Sequence, residues 1–316
     1  MRYLSRAFPL LIALAFSSAH ANKRPADGPW LTGPVIAGPG HSLKPGEWEV
    51  QPYLIVKENR GVYSNQWHRM RSHGINEVNP FLIYGIGVFK NFDFHLTLPL
   101  EYRSKHGQRS LGLSDISAEL GYQVCKDVRD MWLPDIRFVL KEIFPSGRFN
   151  NLNASKNGTD AMGAGAYSTG LGANFQKLFY TFKTQFLSMR LNLGYAISSR
   201  ARVHGLNTYG GTADTDGRVR LGNAFTAVVS AEQTLSRRWA LAIDVQFQHI
   251  AKTRFSGTSS NPSSMNASSS VQWSLAPAIE YNISANAGII LGAWFTVAGR
   301  NSSDFTSWVL SFTYAK

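Results

Sequence analysis

The sequence predicts an all-β fold, a transmembrane antiparallel up-and-down β-barrel of about 12 strands with both termini periplasmic. Three observations carry this. An export signal opens the chain, period-two alternation recurs in segments near the length of a membrane strand, and the connections between those segments alternate between long and short.

The N-terminus comes first. Arg2 and Arg6 flank the apolar run Ala7 to Phe16, which closes on Ala19-His20-Ala21. This is a positive n-region, a short h-region and a small-x-small cleavage site. A membrane anchor needs about 20 apolar residues, and this run stops at Ser17 and Ser18 well short of that. Residues 1–21 therefore read as a cleaved signal peptide, with Asn22 as the mature N-terminus. A buried helix of a cytosolic protein would leave both the arginine flank and the Ala-x-Ala end unexplained. No cysteine follows the cleavage site, which argues against a lipid anchor.

Beyond residue 21 no apolar run is long enough for a membrane helix. Composition separates the remaining classes. Only 16% of residues are charged, against about 25% in an ordinary soluble domain, while Phe, Tyr and Trp number 19, 12 and 8. Such aromatics are costly in water and suit the headgroup level of a bilayer. The single cysteine, Cys125, cannot close an internal disulfide, so an exported chain needs another source of cohesion. A closed hydrogen-bonded ladder supplies one.

Alternation is the main signal, because successive strand residues face opposite sides and a barrel wall meets lipid on one side and lumen on the other. Trp239, Leu241, Ile243, Val245 and Phe247 alternate with Ala240, Ala242, Asp244, Gln246 and Gln248. Phe92 to Arg103 and Val271 to Asn282 repeat the pattern, and Trp308, Leu310, Phe312 and Tyr314 carry it to the C-terminus. Candidate strands are 47–57, 77–89, 92–103, 112–125, 134–144, 163–176, 180–198, 219–235, 238–251, 270–283, 286–298 and 304–315. The intervals 58–76, 104–111, 145–162, 199–218 and 252–269 are long and polar. Those between are mostly tight, as at Lys90-Asn91, Ser236-Arg237 and Ser284-Ala285, with 126–133 the longest. Long loops on one rim and short periplasmic turns on the other are the pattern of an outer-membrane barrel. A soluble β-sandwich requires no such alternation of loop length and would carry more charge on its outer face.

Before the barrel, which spans 47–316, residues 22–46 contain Pro25, Pro29, Pro34, Pro39 and Pro45 and cannot form a central strand. They read as a Pro/Gly-rich periplasmic leader or plug. Trp30, Leu31, Val35 and Ile36 are its apolar candidates for the plug.

Three stretches carry a resemblance. They are LKPGEWEVQPYLI at 43–55, GLSDISAELGYQ at 112–123 and LPDIRFVLKEIFPSGRF at 133–149. They resemble, respectively, the first strand after a Pro-Gly, the Gly-x-x-Asp strand opening and the strand ending in a Pro-Ser/Thr-Gly turn of the outer-membrane proteins grouped with the phenol meta-cleavage pathway. The resemblance covers about a third of the mature chain, and it implies an outer-membrane channel or transporter for small hydrophobic or aromatic molecules. It implies no catalytic residue. The chain departs from the usual barrel terminus in ending Tyr314-Ala315-Lys316 rather than on phenylalanine.

With the apolar faces outward, the lumen receives Glu49, Asp93, His95, Glu101, Asp115, Glu119, Arg137, Lys141, Arg190, Arg220, Glu232, Asp244 and Glu280, and with them Lys57 and Arg103. Charges of both signs either pair across the lumen and fill it or line a wet path. Filled, the protein is a non-conducting structural or surface-interaction barrel; open, it is a channel.

A lipid-modifying enzyme is the weaker alternative. His95 and Thr97 share a face, but that face is the lumen, not the lipid where an acyl chain would lie. The reading is therefore a non-enzyme, without cofactor. Histidines 68 and 73, five apart in one loop and without a third ligand, do not make a metal site.

The net charge of +12 falls to +10 when Arg2 and Arg6 leave with the signal peptide. Arg200, Arg202, Lys252, Arg254 and other cations fall on or beside the long loops. That placement suits the phosphate groups of outer-membrane lipid and lipopolysaccharide rather than nucleic acid. The solute and the oligomeric state are left open.

Overall fold

The computed structural model describes residues 30–72, 74–127, 132–182 and 185–316; the expected signal peptide, its cleavage site and residues 22–29 of the leader lie outside them. Twelve strands form the wall. They are β1 (Trp48–Tyr63), β2 (Asn76–Phe89), β3 (Phe92–Lys105), β4 (Ser117–Cys125), β5 (Asp135–Ile143) and β6 (Ser168–Phe182). The second half continues with β7 (Gln185–Ser198), β8 (Ala224–Thr234), β9 (Trp239–Ile250), β10 (Ser270–Asn282), β11 (Ala287–Arg300) and β12 (Ser302–Ala315). Each strand pairs antiparallel with its sequence neighbours, and β12 returns to β1, placing Val309 opposite Ile55. Closure leaves the wall without a free edge, which a hydrocarbon environment demands.

The faces follow from the alternation. On β9, Trp239, Leu241 and Ile243 are 44%, 46% and 43% exposed, whereas Ala240, Ala242 and Asp244 are buried. On β12, Trp308, Leu310 and Phe312 point out while Ser307, Val309 and Ser311 are buried. An exterior this apolar is a lipid-facing surface.

Two aromatic girdles bound it. Phe92–Tyr122, Trp239–Tyr281 and Trp48–Tyr314 pair at the rim of short connections. Phe225–Phe247, Phe247–Trp273 and Phe144–Tyr167 pair toward the other rim. Trp239 and Phe247 lie roughly 26 Å apart along β9 at the usual rise, or about 20 Å along the axis of a strand tilted by ~40°, close to the height of an outer-membrane apolar band.

Several expected boundaries shift; the strands expected at 112–125, 163–176 and 180–198 run Ser117–Cys125, Ser168–Phe182 and Gln185–Ser198. The interval 104–111 is no loop but a hairpin, in which β3 runs to Lys105 and Gln108–Leu113 pairs back onto it. His106 and Gly107 join them, both at positive φ (47° and 79°), which matches the strand twist of a two-residue turn. β11 and β12 are joined by Asn301 alone, also at positive φ. Within 199–223 and 251–269, Arg200–His204, Asp216–Arg220 and Arg254–Thr258 form a separate three-stranded sheet beyond the wall. The expected strand 219–235 therefore starts only at Ala224. The backbone breaks at 221–223, where Gly222 lies so close to the Ala251 carbonyl that a Cβ would overlap it.

The apolar core identified among the described residues packs under this outer sheet. It comprises Ala166, Ala201, Val203, Val219 and Met265, with Tyr209, Leu221 and Phe255 against it. The buried side chains inside the barrel are mostly polar.

Candidate functional site

The inner wall is lined on one level by the chain's own residues 32–47. Prolines and glycines keep this strap out of any ladder, so its peptide groups need other partners. Wall side chains provide them. Glu280 on β10 accepts from Thr32 N (3.1 Å), Glu232 on β8 from Gly33 N (3.2 Å), and Asp244 on β9 from both Ile36 N and Ala37 N (3.0 and 3.3 Å). Arg190 and Asn192 on β7 donate to Ala37 O and Gly38 O, and Asn174 on β6 donates to Pro39 O. Gln176, Gln123 and Asp93 then accept from Gly40 N, Ser42 N and Leu43 N. The strap ends by exchanging bonds with Gly87 on β2, where Gly46 N donates to Gly87 O and Gly87 N to Glu47 O. A Cβ at Gly87 would overlap the Lys44 carbonyl.

The chain thus travels round the inner wall from β10 to β1, near the rim of short connections. Carboxylates that would be stranded in the wall receive peptide donors, and the strap's orphan donors receive acceptors.

Beside the strap lies a charge cluster. Arg137, 1% exposed, donates to Asp93 through Nη2 (2.6 Å) and Nε (3.1 Å) and to Glu119 through Nη1 (3.0 Å). Gly121 leaves room for the guanidinium, which a Cβ would overlap. His95 stands between Glu49 and Asp93, 3.4 Å from each. Toward the long-loop rim, Lys57 pairs with Glu77 (3.2 Å) and Arg103 with Glu101 (2.9 Å).

No protein-family model and no curated protein matches the chain. Among solved structures it is similar to the COG4313 outer membrane channel from Pseudomonas putida F1, with 14% identity and a TM-score of 0.66 over 89% of this chain and 100% of that one. The chain shares the fold of that channel. Weaker likenesses are to the NanC porin (9% identity, TM-score 0.44, 84% of this chain and 98% of that one) and to the translocator domain of autotransporter NalP from Neisseria meningitidis (11%, 0.43, 86% and 89%).

The barrel brings together most of the charged residues expected in the lumen, but not all of them. Glu49, Asp93, His95, Glu119 and Arg137 form one group, and Arg190 lies 3.5 Å from Glu232 with Asp244 and Glu280 along the same strap. Lys141 stands opposite Glu119 in the ladder. Asp115 sits in the break before β4 and pins the 144–167 loop, accepting from Gly147 N (2.9 Å) and Ala164 N (2.7 Å). Arg220 departs from expectation. It lies exposed on the outer three-stranded sheet, because the break at 221–223 separates it from β8. Among the apolar leader residues, Trp30 lies under the Arg237 guanidinium (4.4 Å) and Val35 lies beside Gly292. The side chains of Leu31 and Ile36 are half-buried.

Sequence reasoning missed the aromatics that face inward. Tyr53 stacks on Phe81 (4.6 Å), and Trp294 meets Phe305 edge-on (5.2 Å) with Lys57 Nζ over the Phe305 ring (5.2 Å). Ile55, Val309 and Ile290 share that face. The signal was present as parity, since Phe305 falls in step with Ser307 and Ser311 and out of step with Trp308 and Leu310. Assigning aromatics outward as a class hid it.

Near the long-loop rim, a cavity of about 600 Å³ opens between the Gln108–Leu113 strand and the 144–167 loop. Leu111, Leu113 and Met162 line it together with Arg109, Arg148 and Lys156.

Proposed function

We propose that this protein is an outer-membrane channel for small hydrophobic molecules, aromatic ones included, narrowed at its periplasmic end by the strap. The observation that carries this is the apolar lane on the inner face of β11, β12, β1 and β2, where Trp294, Phe305, Ile55, Tyr53 and Phe81 interrupt an otherwise polar lumen. A polar lumen without such a lane offers water-like contacts only. Offset aromatic faces and branched aliphatics give a neutral ring a place to desolvate along the way. The resemblance to barrels grouped with phenol meta-cleavage supports an aromatic solute.

The test is uptake of a radiolabelled neutral monoaromatic by cells whose own hydrophobic channels are deleted. Wild type should take it up faster than the empty vector, and Trp294→Ala/Phe305→Ala should lose about threefold or more of that gain, for two aromatic contacts of ~0.5–1.5 kcal/mol each. Vector-level uptake from a folded, membrane-inserted protein would falsify the reading. A second reading is a non-conducting structural barrel, favoured by the pairing of lumen charges and by the strap itself. Silence in planar bilayers, both with and without the strap, would support it.

A further inference from the structure

The outer three-stranded sheet places arginines side by side in a way the barrel does not need. Arg200 lies directly opposite Arg220, Arg220 directly opposite Arg254, and Arg202 directly opposite Arg218. Directly paired residues, and residues two apart on one strand, share a face. All five guanidinium groups therefore stand on one side of the sheet, and all five residues are exposed. The opposite side is the buried one, where Ala201, Val203 and Val219 pack on Met265 and Ala166, so the sheet cannot turn over.

Like charges directly opposite one another destabilise a sheet. Among the described residues no carboxylate forms an ion pair with any of the five. The acids closest along these strands are engaged elsewhere, Asp216 with His204 (3.0 Å) and Asp214 with Thr212 and Ser260. A groove of about 320 Å³ runs along the face, lined by Arg200, Arg218, Arg220, Arg254, Phe255 and Ser256.

We propose that this face binds the phosphate groups of the outer leaflet's phosphorylated glycolipid. Guanidinium forks match phosphate oxygens bidentately, and neighbouring strands about 4.8 Å apart let two arginines grip one phosphate. The height of the sheet along the wall is the argument for a lipid occupant over a dissolved anion. The sheet continues β7, β8 and β9 just past their lipid-side aromatics, and Tyr195, 47% exposed on that side, accepts from Asn223 (2.9 Å) at the junction. Aromatics of that kind mark headgroup level, so the arginines begin where the lipid phosphates do. The proposal is independent of whether the lumen conducts.

The experiment uses the full refolded barrel in neutral detergent, titrated with bis-phosphorylated lipid A and with the same lipid after removal of its phosphates, with retention read by native mass spectrometry. Wild type should hold the phosphorylated form about tenfold or more tightly than the dephosphorylated one, and Arg218→Gln/Arg220→Gln/Arg254→Gln should lose that preference. The corresponding lysine triple variant should keep only part of it, because lysine preserves charge but not the fork. Millimolar inorganic phosphate should not displace the lipid; displacement would mean a site for a free anion and would overturn the lipid assignment. Equal retention of the two lipids by wild type, or an unchanged preference in the triple variant, would also overturn the proposal. Heat-shifted mobility checks folding, and Arg200→Gln/Arg254→Gln serves as the second variant if the triple one does not assemble.

Discussion

Ile243 and Asp244 are neighbours on β9 with opposite surroundings. Ile243 meets lipid, while Asp244 is fully buried and accepts two strap amides. Ile243→Arg places a charge in hydrocarbon at a cost of about 2–4 kcal/mol near the midplane. It should cut folded yield and heat-shifted mobility far more than Asp244→Asn, which leaves the wall intact and removes one of two strap acceptors. If the Asp244 variant assembles worse than the Ile243 variant, the assignment of faces is wrong. Arg137 makes the complementary case. Removing it leaves Asp93, 1% exposed, without its guanidinium. Arg137→Ala should therefore destabilise the barrel, by up to the ~3–5 kcal/mol of a broken buried pair less what the Leu43 N–H and His95 still supply to Asp93. Urea unfolding in lipid vesicles measures it, and a loss below ~1 kcal/mol would show that the cluster is already well hydrated.

The strap is the element whose role turns on its contacts rather than on its own conformation. Ala37, 4% exposed, sits between Asp244 and Arg190. In a Cys125→Ser background, Ala37→Cys should react slowly with a membrane-impermeant maleimide, and adding Asp244→Asn should speed the reaction. Rapid labelling in both would mean that the segment does not rest against the wall in the membrane. Deleting 23–42 with residues 1–22 kept should raise single-channel conductance, since a barrel of about 12 strands is wide enough to need something in its lumen to limit flow. Unchanged conductance would leave the strap a lining and not a restriction. The outer sheet is the opposite kind of element, held by a small apolar core of its own.

For the molecule as a whole, cohesion comes from the closed ladder and not from a central apolar core. The seam is β12 against β1, and Val309 lies within it, opposite Ile55 on one side and Gly292 on the other. Val309→Pro removes a ladder donor from a strand paired on both edges, where proline is not tolerated. The heat-shifted folded form should disappear, whereas a glycine-serine insertion between Thr212 and Ala213, in the outer loop, should leave it in place. A Val309→Pro protein that still shifts on heating would place the stabilising contacts elsewhere than in the seam.

Strand faces, loop rhythm and the leader's exclusion from the wall were all legible in the sequence, because each follows from local geometry. A strand alternates whatever its partner, and a proline lacks its N–H in every context. That is why the faces of β9 and β12 could be assigned before any pairing was known. The site was legible only in part. Glu232, Asp244 and Glu280 could be placed inside, but not their partners, which are peptide groups of a segment up to 248 residues away. Arg220 could not be separated from β8 without the close approach of Gly222 to Ala251, and the arginine row exists only through cross-strand register. Contacts between distant segments depend on the closure and register of the whole ladder, and a local pattern holds no record of those. Tertiary structure alone decided that the lumen carboxylates hold the chain's own backbone.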